Sequence, residues 1–153
     1  MKESMNVALT LAWKLTPVSR QKMLRDEYCD ITNLNGVHIH CPEGSVPKDG
    51  PSAGTAITTA IFSIFNNKKI KYHIAITGEI SLDGNVTEIG GLDLKFIGGI
   101  KAGVKDFIFP NENLKDYTAF IDKYKGSDLL DGIHFYPVDT IDDVLKLVFE
   151  NGE

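Results

Sequence analysis

Apolar residues mark out the elements before any single residue suggests chemistry. Met5, Ala8, Leu9, Ala12 and Trp13 recur at helical spacing, which predicts an amphipathic helix over residues 3–15. Thr16-Pro17 ends it, because the residue before a proline is pushed out of the helical region. Residues 18–35 are polar and mixed and read as a short helix followed by a loop around Asn33–Gly36. Residues 37–41 alternate strictly, with Val37, Ile39 and Cys41 on one side and His38 and His40 on the other, the period of a half-buried strand. Three prolines and two glycines from Pro42 to Pro51 predict an ordered loop, with φ fixed at the prolines and free at the glycines.

At Ser52 the period changes. Ala53, Ala56, Ile57, Ala60, Ile61 and Ile64 fall on one helical face, so residues 52–66 are expected to form a well-buried helix. Ile70, Tyr72, Ile74 and Ile76 alternate as a strand, and Asp83-Gly84 marks a tight turn between two further strands. A helix is expected from about Leu92 to Ala102, with Gly98 and Gly99 costly inside it. Then come a strand at Val104–Phe109, a helix at Leu114–Tyr124, a strand at Ile133–Val138 and a closing helix from Ile141. Thr140 with Asp143 three residues on resembles an N-terminal capping box. Alternating strands and helices with at least one hairpin predict an α+β fold, or an α/β sandwich, with mixed β-sheets and flanking helices rather than a regular doubly wound fold.

Length and composition narrow the function. A chain of 153 residues is one domain on length, with no linker or internal repeat, and can bury a sizeable core. Hydrophobic content of 42% and charged content of 24% are those of a soluble globular protein. The net charge of −5, with lysines interspersed among acids, argues against nucleic acid as a partner. Two cysteines, Cys29 and Cys41, are too few for a disulfide framework and lack metal-site spacing, so a reducing compartment is expected. No stretch approaches the ~18 apolar residues of a membrane span, and the first residues lack the pattern of a signal peptide. The Asn85-Val86-Thr87 sequon is read as a chance match in such a chain.

Candidate chemistry centres on Lys48-Asp-Gly-Pro-Ser-Ala-Gly54. Ser52 stands where a rigid loop meets a buried helix. Backbone N–H groups of a helix's first turn lack intrahelical partners, and the dipole there favours negative charge, so a serine nucleophile would find oxyanion donors ready-made. Serine is equally a preferred N-cap and Gly-Pro is ordinary turn chemistry, so the residues alone read either way. A nucleophile needs a base. His38, His40, His73 and His134 lie in no triad motif, and a metal held by His38 and His40 lacks acidic partners. Lys95 is the other candidate: at the edge of a buried stripe, desolvation would favour its neutral amine, whereas a lysine snorkelling to solvent would stay charged. Glycine spacing excludes a nucleotide-binding loop.

Together these segments resemble the proteolytic domain of the Lon family of ATP-dependent proteases. The resemblance rests on His38-Ile-His40, Pro42-Glu-Gly44, Pro47-Lys-Asp-Gly-Pro-Ser-Ala-Gly54, Thr77-Gly-Glu-Ile80, Gly84, Ile89-Gly-Gly-Leu92 and Lys95, and on the order of the final strands and helix. It covers nearly the whole chain, as one Lon-type peptidase domain over residues 1–153. The resemblance implies a serine endopeptidase with Ser52 as nucleophile and Lys95 as general base. It further implies that Thr77 orients the lysine by hydrogen bonding and that Asp49 shapes the loop controlling access to Ser52. Glu79, His38 and His40 would take supporting or subunit-contact roles.

The same resemblance implies a homo-hexameric ring with its sites in a chamber, fed unfolded or damaged polypeptide by a preceding ATPase module that uses ATP. The peptidase site itself would need no metal or cofactor. This chain carries no such module, as expected of either an excised domain or a natural short relative, and a helix at its first residues suggests the former. A cytoplasmic or organelle-matrix location is expected, with no membrane and no nucleic acid bound. The chain departs from the family pattern at Asp83, often basic, at Asp93, commonly lysine, and at Gly98-Gly99, usually alanines, which is expected to loosen the helix carrying Lys95. Two other readings are a catalytically silent ring-assembly module of the same fold and a nucleic-acid-binding domain, the latter opposed by the acidic balance.

Overall fold

The computed structural model describes residues 2–28, 37–40 and 50–150. Asp49, both cysteines and most of the proline-rich loop lie outside them. Two helices open the chain, α1 (Lys2–Leu15) and α2 (Val18–Tyr28). After them come α3 (Gly54–Asn66), β1 (Ile74–Ile76), β2 (Glu79–Ile80) and β3 (Val86–Thr87). The remainder is α4 (Leu92–Lys101), β4 (Asp106–Pro110), α5 (Leu114–Tyr124), β5 (His134–Val138) and α6 (Ile141–Val148). None of these helices is long and apolar enough to cross a membrane.

Two sheets form, as the mixed pattern predicts. The larger runs β1-β4-β5, parallel throughout, and the smaller is the antiparallel β2–β3 hairpin. Parallel neighbours need crossovers, and α4 and α5 supply them. Both sheet faces are covered, one by these crossover helices and the other by α1 and α6. Phe107, Phe109 and Phe135 point to the side of α4 and α5, where Phe96 makes edge contacts with four rings, those of Phe107, Phe109, Phe120 and Phe135. Ile74, Ile76, Ile108 and Val138 point the other way, onto Leu11 of α1 and Val144 and Val148 of α6. A third cluster joins α1, α2 and α3 through Ala8, Ala12, Leu24, Ile61 and Phe65.

Local signals hold at the helix ends and turns. Thr140 caps α6 in a complete capping box with Asp143. Gly84 takes φ +88° in the hairpin turn, closed by the Gly84 N–H donating to the Ser81 carbonyl at 3.0 Å. α4 is continuous through Gly98 and Gly99.

Three expectations need correction. Residues 37–40 are not in a strand: Val37 and Ile39 do alternate inward, onto the cluster of Ala8 and Ile61, but no ladder forms along them. The strand around Ile70–Ile76 shrinks to three residues, because His73 adopts φ +58° and Tyr72 is exposed, which breaks the alternation. On α3 the buried face is a different one. Ile64 and Ala60 are exposed, while Thr55, Thr58 and Thr59 are fully buried. Their hydroxyls donate to the carbonyls of Gly78, Gly54 and Thr55 at 3.0, 2.8 and 2.9 Å, which is why three polar side chains can lie in the core.

Candidate active site

α3 begins two residues later than the apolar period suggests, at Gly54. Ala53 occupies the N-cap position with φ −91° and makes no side-chain cap. Ser52 thus stands just outside the helix, its side chain not spent on capping. The Gly54 N–H returns to the Pro51 carbonyl at 2.9 Å, closing the turn that presents Ser52.

The connection leaving β1 is fastened to this turn from both sides. The Ser52 carbonyl accepts from the Gly78 N–H at 2.9 Å and from the Thr77 hydroxyl at 3.3 Å. The Gly78 carbonyl in return accepts from the Thr55 N–H at 3.2 Å and the Thr55 hydroxyl at 3.0 Å. Four hydrogen bonds between residues 52–55 and 77–78 fix Ser52 at the carboxyl end of a sheet-edge strand, the region where open α/β sheets place ligands. Gly78 allows the approach: a Cβ there would lie 2.6 Å from Val86 Cγ1 and 2.8 Å from Thr55 Oγ1.

Lys95 comes from the first turn of α4. Leu92 and Phe96 anchor that helix in the aromatic core, at 2% and 1% exposure. Lys95, adjacent to Phe96, is turned off the buried stripe toward α3. Its Nζ donates to Ser52 Oγ at 3.1 Å. The lysine side chain is exposed. No salt bridge holds it among the described residues.

A cavity of about 240 Å³ opens beside Ser52. Thr77, Lys95 and Ser52 give it its polar side-chain atoms, and Ala75, Phe96 and Phe107 are among its apolar walls. Among the described residues, no acidic side chain or histidine lines it.

The other candidates differ in where they fall. Thr77 is at the site but bonds to the Ser52 carbonyl, so the hydrogen bond expected with Lys95 is replaced by one that holds the nucleophile's backbone. Glu79 lies on β2 with its side chain exposed and does not line the cavity. His38 and His40 stack on one another, ring centroids 6.4 Å apart, on an exposed face and not in the cavity. Asp49 lies outside the described residues. Sequence reasoning missed Thr55 and Gly78, whose signal was the threonine run at i, i+3 and i+4 from residue 55.

Comparisons with known proteins place the whole chain in a family. The family model described as the Lon protease (S16) C-terminal proteolytic domain matches residues 1–151. The Lon protease of Fusobacterium nucleatum subsp. nucleatum is 45% identical over 149 residues, covering 97% of this chain and 18% of that protein. Those of Elusimicrobium minutum and Treponema pallidum are 39% and 37% identical over 153 residues, covering 100% of this chain and 17% and 16% of theirs. The chain thus spans less than a fifth of the length of these relatives. It belongs to the family of Lon protease C-terminal proteolytic domains.

Proposed function

We propose that this domain hydrolyses peptide bonds with Ser52 as nucleophile and Lys95 as its general base. The observation that carries the reading is the 3.1 Å contact between Lys95 Nζ and Ser52 Oγ at the mouth of an apolar cavity. In the reactive state the contact runs in the opposite sense. A neutral amine takes the hydroxyl proton as Oγ attacks the carbonyl carbon, and the new ammonium passes that proton to the leaving nitrogen as the C–N bond breaks. Water then repeats the sequence on the acyl-enzyme, with Lys95 returning the proton to Oγ. The N–H groups of Ser52 and Ala53 find no backbone acceptor among the described residues, belong to the residues leading into α3, and suit an oxyanion. Thr77 holds the Ser52 backbone, and the apolar walls favour an apolar residue on the acyl side of the cleaved bond.

The substrates in this reading are unfolded or damaged polypeptides. ATP is used by a separate module of a longer protein, the working assembly is a homo-hexameric ring, and the peptidase site uses no cofactor. Asp49, Glu79, His38 and His40 keep the supporting roles assigned by family resemblance, in a cytoplasmic or organelle-matrix setting. A silent assembly module has no need of the Ser52–Lys95 contact. Hydrolysis of a fluorogenic peptide by the parent and by Ser52→Ala tests the reading. Cleavage by the parent alone is expected, and equal cleavage by cleanly purified Ser52→Ala protein rejects it.

A further inference from the structure

Phe107 is a large ring in a place that leaves almost no slack. It is 4% exposed, stacks on Phe135 with centroids 5.6 Å apart, and meets the Phe96 ring edge-on at 5.2 Å. In the parallel register of β1 and β4 its neighbour is Ala75, whose methyl leaves room beside the ring. That room is the cavity next to Ser52, which Phe107 and Ala75 both line. Against the Cε1–Cζ edge of the ring stands Gly99 of α4. A Cβ at Gly99 would come 2.7 Å from Phe107 Cζ and nearer still to Cε1, distances real Cβ atoms do not show. Gly98, its neighbour, has nothing within 4 Å of such a Cβ. The two glycines differ in kind, although each costs the helix about 1 kcal/mol relative to alanine.

We infer that Gly99 is a positioning residue for substrate selection: by leaving space behind the Phe107 ring, it sets the depth of the cavity beside Ser52 and so the largest acyl-side side chain the site admits. The inference rests on the peptidase reading for its biological meaning but not for its test. The reasoning is steric. Phe96 and Phe135 pack against the ring, α4 closes the space behind it, and the cavity is where unfilled volume lies. A methyl at residue 99 therefore drives the ring into the cavity. The cavity, at about 240 Å³, is below the roughly 300–1,000 Å³ of sites that hold whole small molecules, and is scaled to one side chain. In such a pocket one methylene changes discrimination by about 10- to 200-fold, so a modest ring displacement is measurable.

The test uses binding first, in the complete chain carrying Ser52→Ala, so that nothing is cleaved. Capped peptides ending in Ala, Leu or Phe amide are titrated while the methyl resonances of Ala53, Ala56 and Ala75 are followed. The expected result is that Gly99→Ala weakens the Leu and Phe peptides by tenfold or more relative to the Ala peptide. Gly98→Ala leaves the ranking unchanged, and Phe107→Leu combined with Gly99→Ala restores binding of the larger peptides. An unchanged Phe-to-Ala ratio in folded Gly99→Ala protein, failure of the double variant to recover, or no size-dependent binding by the Ser52→Ala chain overturns the proposal. With Ser52 restored, kcat/KM for the same panel separates the two ideas. A protein that ranks peptides by size yet cleaves none defeats the peptidase reading and leaves the role of Gly99 standing.

Discussion

Lys95 Nζ donates to Ser52 Oγ across 3.1 Å, although 43 residues separate them in the chain. The lysine is carried by a helix anchored through Phe96, and the serine by a turn fastened to Thr77 and Gly78. Each partner therefore has its own rigid support. A lysine acting as base must be able to lose its proton, which an arginine cannot do. We predict that Lys95→Met and Lys95→Arg both lower kcat for peptide hydrolysis by about 10²–10⁴-fold, the usual worth of a positioned base. Steady-state kinetics checks this. Near-parent turnover in Lys95→Arg would mean that the positive charge alone suffices and that the lysine is no base.

The clamp between residues 52–55 and 77–78 should be as sensitive as the pair it supports. Gly78→Ala sets a methyl against Val86 Cγ1 and Thr55 Oγ1, both in buried residues. Overpacking of this kind costs about 1–3 kcal/mol. The expected result is a lower urea midpoint together with a loss of kcat larger than any change in KM, since Ser52 moves with the clamp. A variant equally stable and equally active would show that the backbone approach at Gly78 is loose.

Gly98 and Gly99 should respond oppositely to alanine. Gly98 lies in mid-helix with open space around a Cβ, so Gly98→Ala gains helix propensity without a clash and is predicted to stabilise by about 0.5–1 kcal/mol. Gly99→Ala gains the same propensity and meets the Phe107 ring, so its net effect is destabilising. Thermal or urea unfolding of the two single variants decides it. Equal stabilisation by both would mean that the ring yields freely.

The capping box of α6 gives the fold a limb of acid sensitivity. Asp143 is held below its ordinary value of 3.8 chiefly by the hydrogen bond from the Thr140 hydroxyl, with Lys146 assisting and burial opposing. A carboxyl whose pKa is lower in the folded than in the unfolded chain adds stability above the unfolded value, and that stability is lost as pH falls through the folded value. Thr140→Ala is predicted to cost about 1 kcal/mol at pH 7 and less at a pH well below 3.8. Urea unfolding at the two pH values measures it. A penalty that does not shrink in acid would assign the effect to the backbone cap alone.

What the sequence determined by itself were the features that depend on near neighbours. The α5 bounds Leu114–Tyr124, the Thr140–Asp143 capping box and the Asp83-Gly84 hairpin turn are all encoded within a few residues, and the structure has them where the pattern places them. The alternation of strands and helices likewise carried the α+β class. Ser52 and Lys95 were legible as candidates because a proline-rich loop running into a helix, and a lysine at the edge of a helix's apolar stripe, are local patterns too. Only the tertiary structure decided which face of α3 is buried, because threonines count as polar until a partner carbonyl such as that of Gly78 is brought within reach. It also decided that Ser52 is not a cap, that Thr77 holds Ser52 rather than Lys95, and that Gly99 and not Gly98 has a ring against it. Each of these depends on atoms contributed by elements far apart in the chain, and a one-dimensional pattern carries no record of what packs against what.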